Sequence, residues 1–71
     1  MRNNISQQCV IDSVADDLPA RCANDLPAIR EAINMRLDYY EREGMLSRAK
    51  SDSWSQQRMV SRVRKALTKK E

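Results

Sequence analysis

The chain has 71 residues, 41% of them hydrophobic, and a formal net charge of +3, so it has room for one small domain. It contains no His and only two Cys, which excludes a four-ligand zinc site of the usual kind. No stretch approaches the about 20 apolar residues of a membrane span.

With one Gly, two Pro and many helix formers, the composition favours an all-α fold in a single domain over residues 1–71. Residues 1–8 carry no apolar run of the kind found in signal peptides, which predicts a cytoplasmic protein. Cys9 and Cys22 lack CxxC spacing and are expected to be reduced, with one disulfide left open as the alternative. Short chains often gain stability from a second subunit, so a homodimer is favoured.

The charge is distributed unevenly along the chain. Residues 1–25 and 26–44 carry net charges of −2 and −1. Residues 45–71 hold eight basic residues against Asp52 and Glu71, for a net charge of +6. This asymmetry predicts that the C-terminal part meets a polyanion or an acidic protein surface.

The first predicted helix runs from about residue 5 to 15, with Asn3, Asn4 or Ser6 as its N-cap. Its apolar face consists of Val10, Ile11, Val14 and Leu18. Two similar segments follow, Asp17-Leu18-Pro19-Ala20 and Asp25-Leu26-Pro27-Ala28. Because Asp can cap a helix and Pro is tolerated in a first turn, each resembles a helix start, which predicts a short helical turn near 19–23.

The second predicted helix runs from about 27 to 43 and ends before Gly44, where a C-terminal cap favours a left-handed residue. One face of this second helix, α2, carries Leu26, Ile29, Ile33, Leu37 and Tyr40. A second apolar strip on the same helix, here called the α2 strip, consists of Ala28, Ala32, Met35 and Tyr39. A helix that is apolar over so wide an arc needs two neighbouring elements to cover it. These are either helices 1 and 3, or one of those helices together with a second subunit.

Arg36 lies between the two apolar faces of this helix. It is expected to extend along the apolar surface, to pair with Glu43, or to pair with an acidic residue of a partner. Because Arg among apolar residues is typical of protein interfaces, Arg36 and the neighbouring Tyr39 are the predicted partner-binding residues. Tyr40, in contrast, is expected in the core.

A connector over Met45–Lys50, with room for one more helical turn, precedes the third predicted helix, which runs from about 54 to 68. Ser51, Asp52 and Ser53 are its candidate N-caps. Its expected buried face consists of Met59, Val60, Val63, Ala66 and Leu67. Together the three helices form a small domain with the second helix in the middle.

Four basic residues recur on the opposite face of this third helix. They are Arg58, Arg62, Lys65 and Lys69, here called the basic stripe. Trp54 precedes Arg58 by four residues and therefore falls on the same face of a continuous helix. Lys and Arg neutralise phosphates and release counterions, and Trp can stack on a base. The stripe and Trp54 are therefore the predicted nucleic-acid-binding residues.

Two other interpretations of this face stay open. An exposed basic face can serve solvation only, and basic residues near a C-terminus also favour the helix dipole. Trp54 can fold back onto Met45 or Leu46 instead of facing a ligand. An acidic protein surface is the other possible partner of the basic face.

Residues Gln56 to Val63, QQRMVSRV, resemble the start of a helix-turn-helix recognition helix with the pattern S-Q-x-x-V-S-R. Gln56 stands where the motif has Ser, and Trp54 stands where it has a turn Gly. The motif also needs a preceding helix, which requires residues 45–50 to be helical. The resemblance implies DNA binding by this segment and assigns no individual contact.

No arrangement in the sequence points to catalysis, a cofactor, a metal or a small-molecule substrate, so a non-enzyme is expected. Asp16 and Asp17 are adjacent and do not converge, which favours a role at helix ends over acid–base chemistry. The predicted function is a small nucleic-acid-binding regulatory or accessory protein, of the kind that phages and plasmids encode. The alternative is a helical adaptor or inhibitor that binds a host or toxin-like protein.

Overall fold

The computed structural model describes residues 5–70, and over this range the chain is helical without any β-strand. The elements are α1 (Gln7–Asp17), a 3-10 helix (Ala20–Asn24), α2 (Leu26–Arg42), α3 (Arg48–Asp52) and α4 (Gln56–Lys69). The prediction of an all-α domain with three long helices and a short turn near 19–23 is confirmed. The short α3 is an additional element, and the long helices α1 and α4 each begin two residues later than predicted.

Side-chain caps explain where the long helices begin. Ser6 accepts a hydrogen bond from the backbone N–H of Cys9 at 3.1 Å, so α1 starts at Gln7. Ser55 accepts from the backbone N–H of Arg58 at 3.2 Å and starts α4 in the same way. Each cap satisfies a backbone donor that has no partner inside its helix. The other candidate caps of α1, Asn3 and Asn4, lie outside the described residues.

The predicted N-caps of the last helix, Ser51 to Ser53, were wrong because residues 51 and 52 belong to α3. Ser47 caps α3 by accepting from the backbone N–H of Lys50 at 3.1 Å. A turn of three residues, 53–55, follows α3, and its last residue, Ser55, caps α4. The connector therefore holds a helical turn, but it is displaced from the predicted 45–50.

Gly44 ends α2 as predicted, with a φ of +74°. The backbone N–H of Met45 donates to the carbonyl of Tyr40 at 2.9 Å, and that of Gly44 donates to Glu41 at 3.1 Å. These two bonds form a Schellman motif, which satisfies the last carbonyls of the helix. The positive φ requires Gly at this position.

The core lies where α4 packs against α1, α2 and the 3-10 helix. Its buried members are Val10, Ile11, Val14, Ala15, Ile29, Ile33, Tyr40, Leu46, Met59, Val60, Val63 and Leu67. The predicted apolar faces of the three long helices are thus confirmed, with one exception. Leu26 was expected on the core face of α2, but as the first residue of that helix it is 45% exposed.

Cys9 and Cys22 are free thiols, which agrees with the prediction of unpaired cysteines. Cys22 packs partly buried against the core, whereas Cys9 is exposed on α1. Within residues 5–70, no helix is both long and apolar enough to cross a lipid bilayer.

Candidate nucleic-acid interface

The basic stripe lies on the exposed side of α4. Arg58, Arg62, Lys65 and Lys69 are all exposed. Opposite them, Met59 and Val63 are fully buried in the core. The apolar face holds the helix against the other elements and thereby fixes the direction of the stripe toward solvent.

The four basic residues of the stripe form no ion pair with the described part of the chain. The ion pairs found within residues 5–70 join Arg36 to Asp17, Arg42 to Asp38 and Arg48 to Glu41, and none involves the stripe. Residues 53–70 contain six basic residues and no acidic one. The stripe therefore offers a row of positive charges to an anionic ligand.

Hydrogen-bonding side chains lie beside the stripe. Ser55, Gln57 and Ser61 line a shallow surface groove together with Arg58, Arg62 and Lys65. Hydroxyl and amide groups of this kind donate to phosphate oxygens and to base edges. At one border of the groove, the Arg62 guanidinium donates to the side-chain oxygen of Gln8 at 3.5 Å, a distance at which the bond is weak and easily exchanged.

Two other basic residues of the same segment point to the protein. Arg64 donates to the side-chain oxygen of Asn24, the last residue of the 3-10 helix, at 3.5 Å. Lys70 donates to the backbone carbonyl of Leu18 at 2.6 Å. Lys70 thus makes a close contact with a neighbouring element, whereas the contact of Arg64 is as long and weak as that of Arg62.

Trp54 does not continue the stripe, because α4 begins two residues after it. Its side chain is partly buried, packs against the core and lines a cleft with Leu37, Glu41 and Met59. This position supports the interpretation of Trp54 as a packing residue. Stacking of Trp54 on a base stays a prediction.

The Trp54 cleft has a volume of about 360 Å³ and a polar wall organised by Glu41. The Glu41 carboxylate accepts from the Arg48 guanidinium at 3.0 Å and from the Ser51 hydroxyl at 3.0 Å. The hydrogen bond and the charge of Glu41, with a further contribution from Asp52, raise the pKa of Arg48. These contacts tie α3 to α2. No sequence pattern predicts them, because Glu41 lies seven and ten residues from its partners.

The position of Trp54 predicts that Trp54→Ala acts mainly on stability. Removing a partly buried indole from the core should lower the free energy of unfolding by about 2 kcal/mol, less than for a fully buried Trp. Chemical denaturation of Trp54→Ala measures this loss. A variant with unchanged stability but weakened nucleic-acid binding would instead assign Trp54 to the ligand.

The two predicted partner-binding residues lie at the edge of the exposed side of α2. Arg36 forms an ion pair with Asp17 of α1, so the pairing with Glu43, one of its three predicted alternatives, is not found among the described residues. Tyr39 is 44% exposed, while Tyr40 is buried as predicted. Met35, one turn before Tyr39, is 66% exposed, so these two side chains of the α2 strip are left uncovered by the described part of the chain, whereas Ala32 packs against the core.

The helix-turn-helix resemblance needs a helix before the turn, and α3 provides one. α3 has five residues, a three-residue turn follows, and α4 carries the matching segment from its first residue, Gln56. The helix before the turn is thus only five residues long. It is attached to α2 through Arg48 and Ser51.

Among residues 5–70, no group of three or more His, Cys, Asp or Glu side chains is placed to hold a metal ion. Comparison of the chain with protein-family models, with curated proteins and with solved structures found no match.

Proposed function

We propose that this protein is a small nucleic-acid-binding regulatory or accessory protein that uses the basic stripe of α4. The observation that carries the proposal is the row Arg58, Arg62, Lys65 and Lys69, exposed and outside every ion pair found in residues 5–70. Phosphate contacts of this kind supply most of the affinity in non-specific nucleic-acid binding.

The dimensions of the stripe suit a nucleic-acid backbone. Arg58 and Lys69 are eleven residues apart, which is about 16 Å along a helix. Projected on the axis of a duplex, this length covers about five base-pair steps at about 3.4 Å per step. A single α-helix also fits the major groove of B-DNA, which is about 12 Å wide.

The residues around the stripe favour a duplex over a single strand. Binding of single strands relies on aromatic side chains that stack on successive bases. α4 carries no aromatic residue, Trp54 is partly buried, and both Tyr residues belong to α2. The helix-turn-helix resemblance of residues 56–63 points to duplex DNA as well.

A salt-dependent titration tests the proposal. Fluorescence anisotropy with a labelled duplex should show binding at low salt, and four phosphate contacts give a log–log salt slope of about −3.6. The affinity should then fall by about 100-fold between about 50 and 200 mM salt. The matching single strand should bind more weakly. Absence of duplex binding at low salt would exclude the proposed function.

The exposed α2 strip favours a second candidate function, an adaptor or inhibitor that docks on another protein. Large apolar side chains left in water, here Met35 at 66% and Tyr39 at 44% exposure, mark candidate protein contacts when they lie together. The test is a pull-down with the wild type and Met35→Glu, each with and without nuclease treatment. One stoichiometric protein retained by the wild type alone would support this candidate, and recovery of nucleic acid alone would exclude it.

A further inference from the structure

The α2 strip forms a ridge with a hollow on each side. Met35 stands between two shallow surface grooves, one lined by Pro27, Glu31 and Asp38 and the other by Ala32, Tyr39 and Arg42. Arg36, at the border of the second groove, is already paired with Asp17. Arg30 and Asn34 also line the first groove, so Met35 is the apolar centre of a ridge whose borders are charged.

Opposite charges lie at the two ends of this ridge. At about 100° per residue, Glu31, Met35 and Arg42 fall within about 40° of one another on α2. Glu31 and Arg42 are eleven residues apart, about 16 Å along the helix. Arg42 approaches Asp38 at 3.5 Å, but an exposed pair of this kind contributes little and can be exchanged for another partner.

We infer that the α2 strip binds a second copy of this chain, with the two α2 helices antiparallel about a twofold axis near residues 36 and 37. In this arrangement Glu31 of each subunit faces Arg42 of the partner subunit, and Met35 enters a groove beside its counterpart. This inference goes beyond both candidate functions, because it assigns the strip to a second copy of the chain instead of another protein, and it does not depend on nucleic-acid binding.

The charge pattern selects both the partner and the direction. A twofold interface uses the same patch on both subunits, so the patch must be complementary to itself. The antiparallel arrangement brings opposite charges together at both ends, whereas a parallel arrangement would place Glu31 against Glu31 and Arg42 against Arg42. Packed helices also need surfaces that interlock, and the Met35 ridge of one subunit can enter a groove beside the ridge of the other.

The dimer leaves the proposed nucleic-acid interface open. Met35 and Tyr39 of the α2 strip lie on the exposed side of α2, and the basic stripe lies on the exposed side of α4. Because one helix face buries less than the about 800 Å² per partner of a standard interface, we expect a weak dimer with a Kd in the micromolar range.

Sedimentation velocity on the full chain without nucleic acid tests the inference. The wild type should pass from monomer to dimer between about 1 and 500 μM, as expected for a micromolar Kd. Glu31→Arg alone and Arg42→Glu alone each place like charges at both ends of the antiparallel pair, and each should weaken the dimer by at least about tenfold.

A mixture of these two variants gives the sharper result. A Glu31→Arg subunit carries Arg at both positions and an Arg42→Glu subunit carries Glu at both, so together they should form a heterodimer about as tightly as the wild type. The double variant Glu31→Arg/Arg42→Glu should dimerise again. Circular dichroism verifies that each variant is folded. A wild type that stays monomeric at about 500 μM, or folded variants that do not associate when mixed, would overturn the inference.

Discussion

Replacing Val63 with Asp should abolish cooperative folding of this protein. Val63 is fully buried at the centre of the face by which α4 contacts α1, α2 and the 3-10 helix. An unpaired carboxylate in an apolar core costs several kcal/mol, and a domain of this size has only about 5 kcal/mol to lose. Thermal unfolding followed by circular dichroism should show no cooperative transition for Val63→Asp.

Ser61→Asp is the matched control, because it adds the same charge to the same helix at an exposed position. Its melting temperature should stay within a few degrees of the wild type, since exposed substitutions usually change the free energy of unfolding by less than about 0.5 kcal/mol. Cooperative melting of Val63→Asp would show that α4 does not form the centre of the core.

The second large effect concerns the basic stripe. Reversing two of its charges, with Arg58→Glu/Arg62→Glu, should weaken duplex binding at about 50 mM salt by about 100-fold or more, because two attractive phosphate contacts become repulsive. The log–log salt slope should become shallower by about 2. Anisotropy titrations of the folded variant measure both quantities.

Arg21→Glu/Arg30→Glu gives the same change in net charge from exposed positions outside α4. This control should lose much less affinity and keep most of its salt slope, because its charges do not lie on the interface. Equal losses in the two double variants would mean that the ligand responds to net charge only, and the proposed role of the stripe would then be wrong.

The sequence predicts the long helices well because their signals are local and repeated. In α4, the buried Met59, Val63 and Leu67 recur at helical spacing, and the stripe follows on the opposite side. The C-terminus of α2 is predicted by Gly44 alone, because a left-handed residue after a helix is costly for any other side chain. Such features need no knowledge of the tertiary fold.

The segment before α4 was predicted less well because several signals compete there. Four residues that can cap a helix, Ser51, Asp52, Ser53 and Ser55, lie within five positions. The anchoring of α3 on Glu41 decides among them, and it removes Trp54 from the helix that would have aligned it with the stripe. The pairing of Arg36 with Asp17 likewise joins residues 19 positions apart, which no local pattern shows.

Chemical-shift mapping of the ¹⁵N-labelled protein during titration with a short DNA duplex tests the central proposal most directly. The largest changes should fall on residues 55–69, at Arg58, Ser61, Arg62 and Lys65, with small changes at Met35 and Tyr39 of the α2 strip. Changes centred on the α2 strip or the Trp54 cleft, or no changes at low salt, would contradict nucleic-acid binding by the basic stripe.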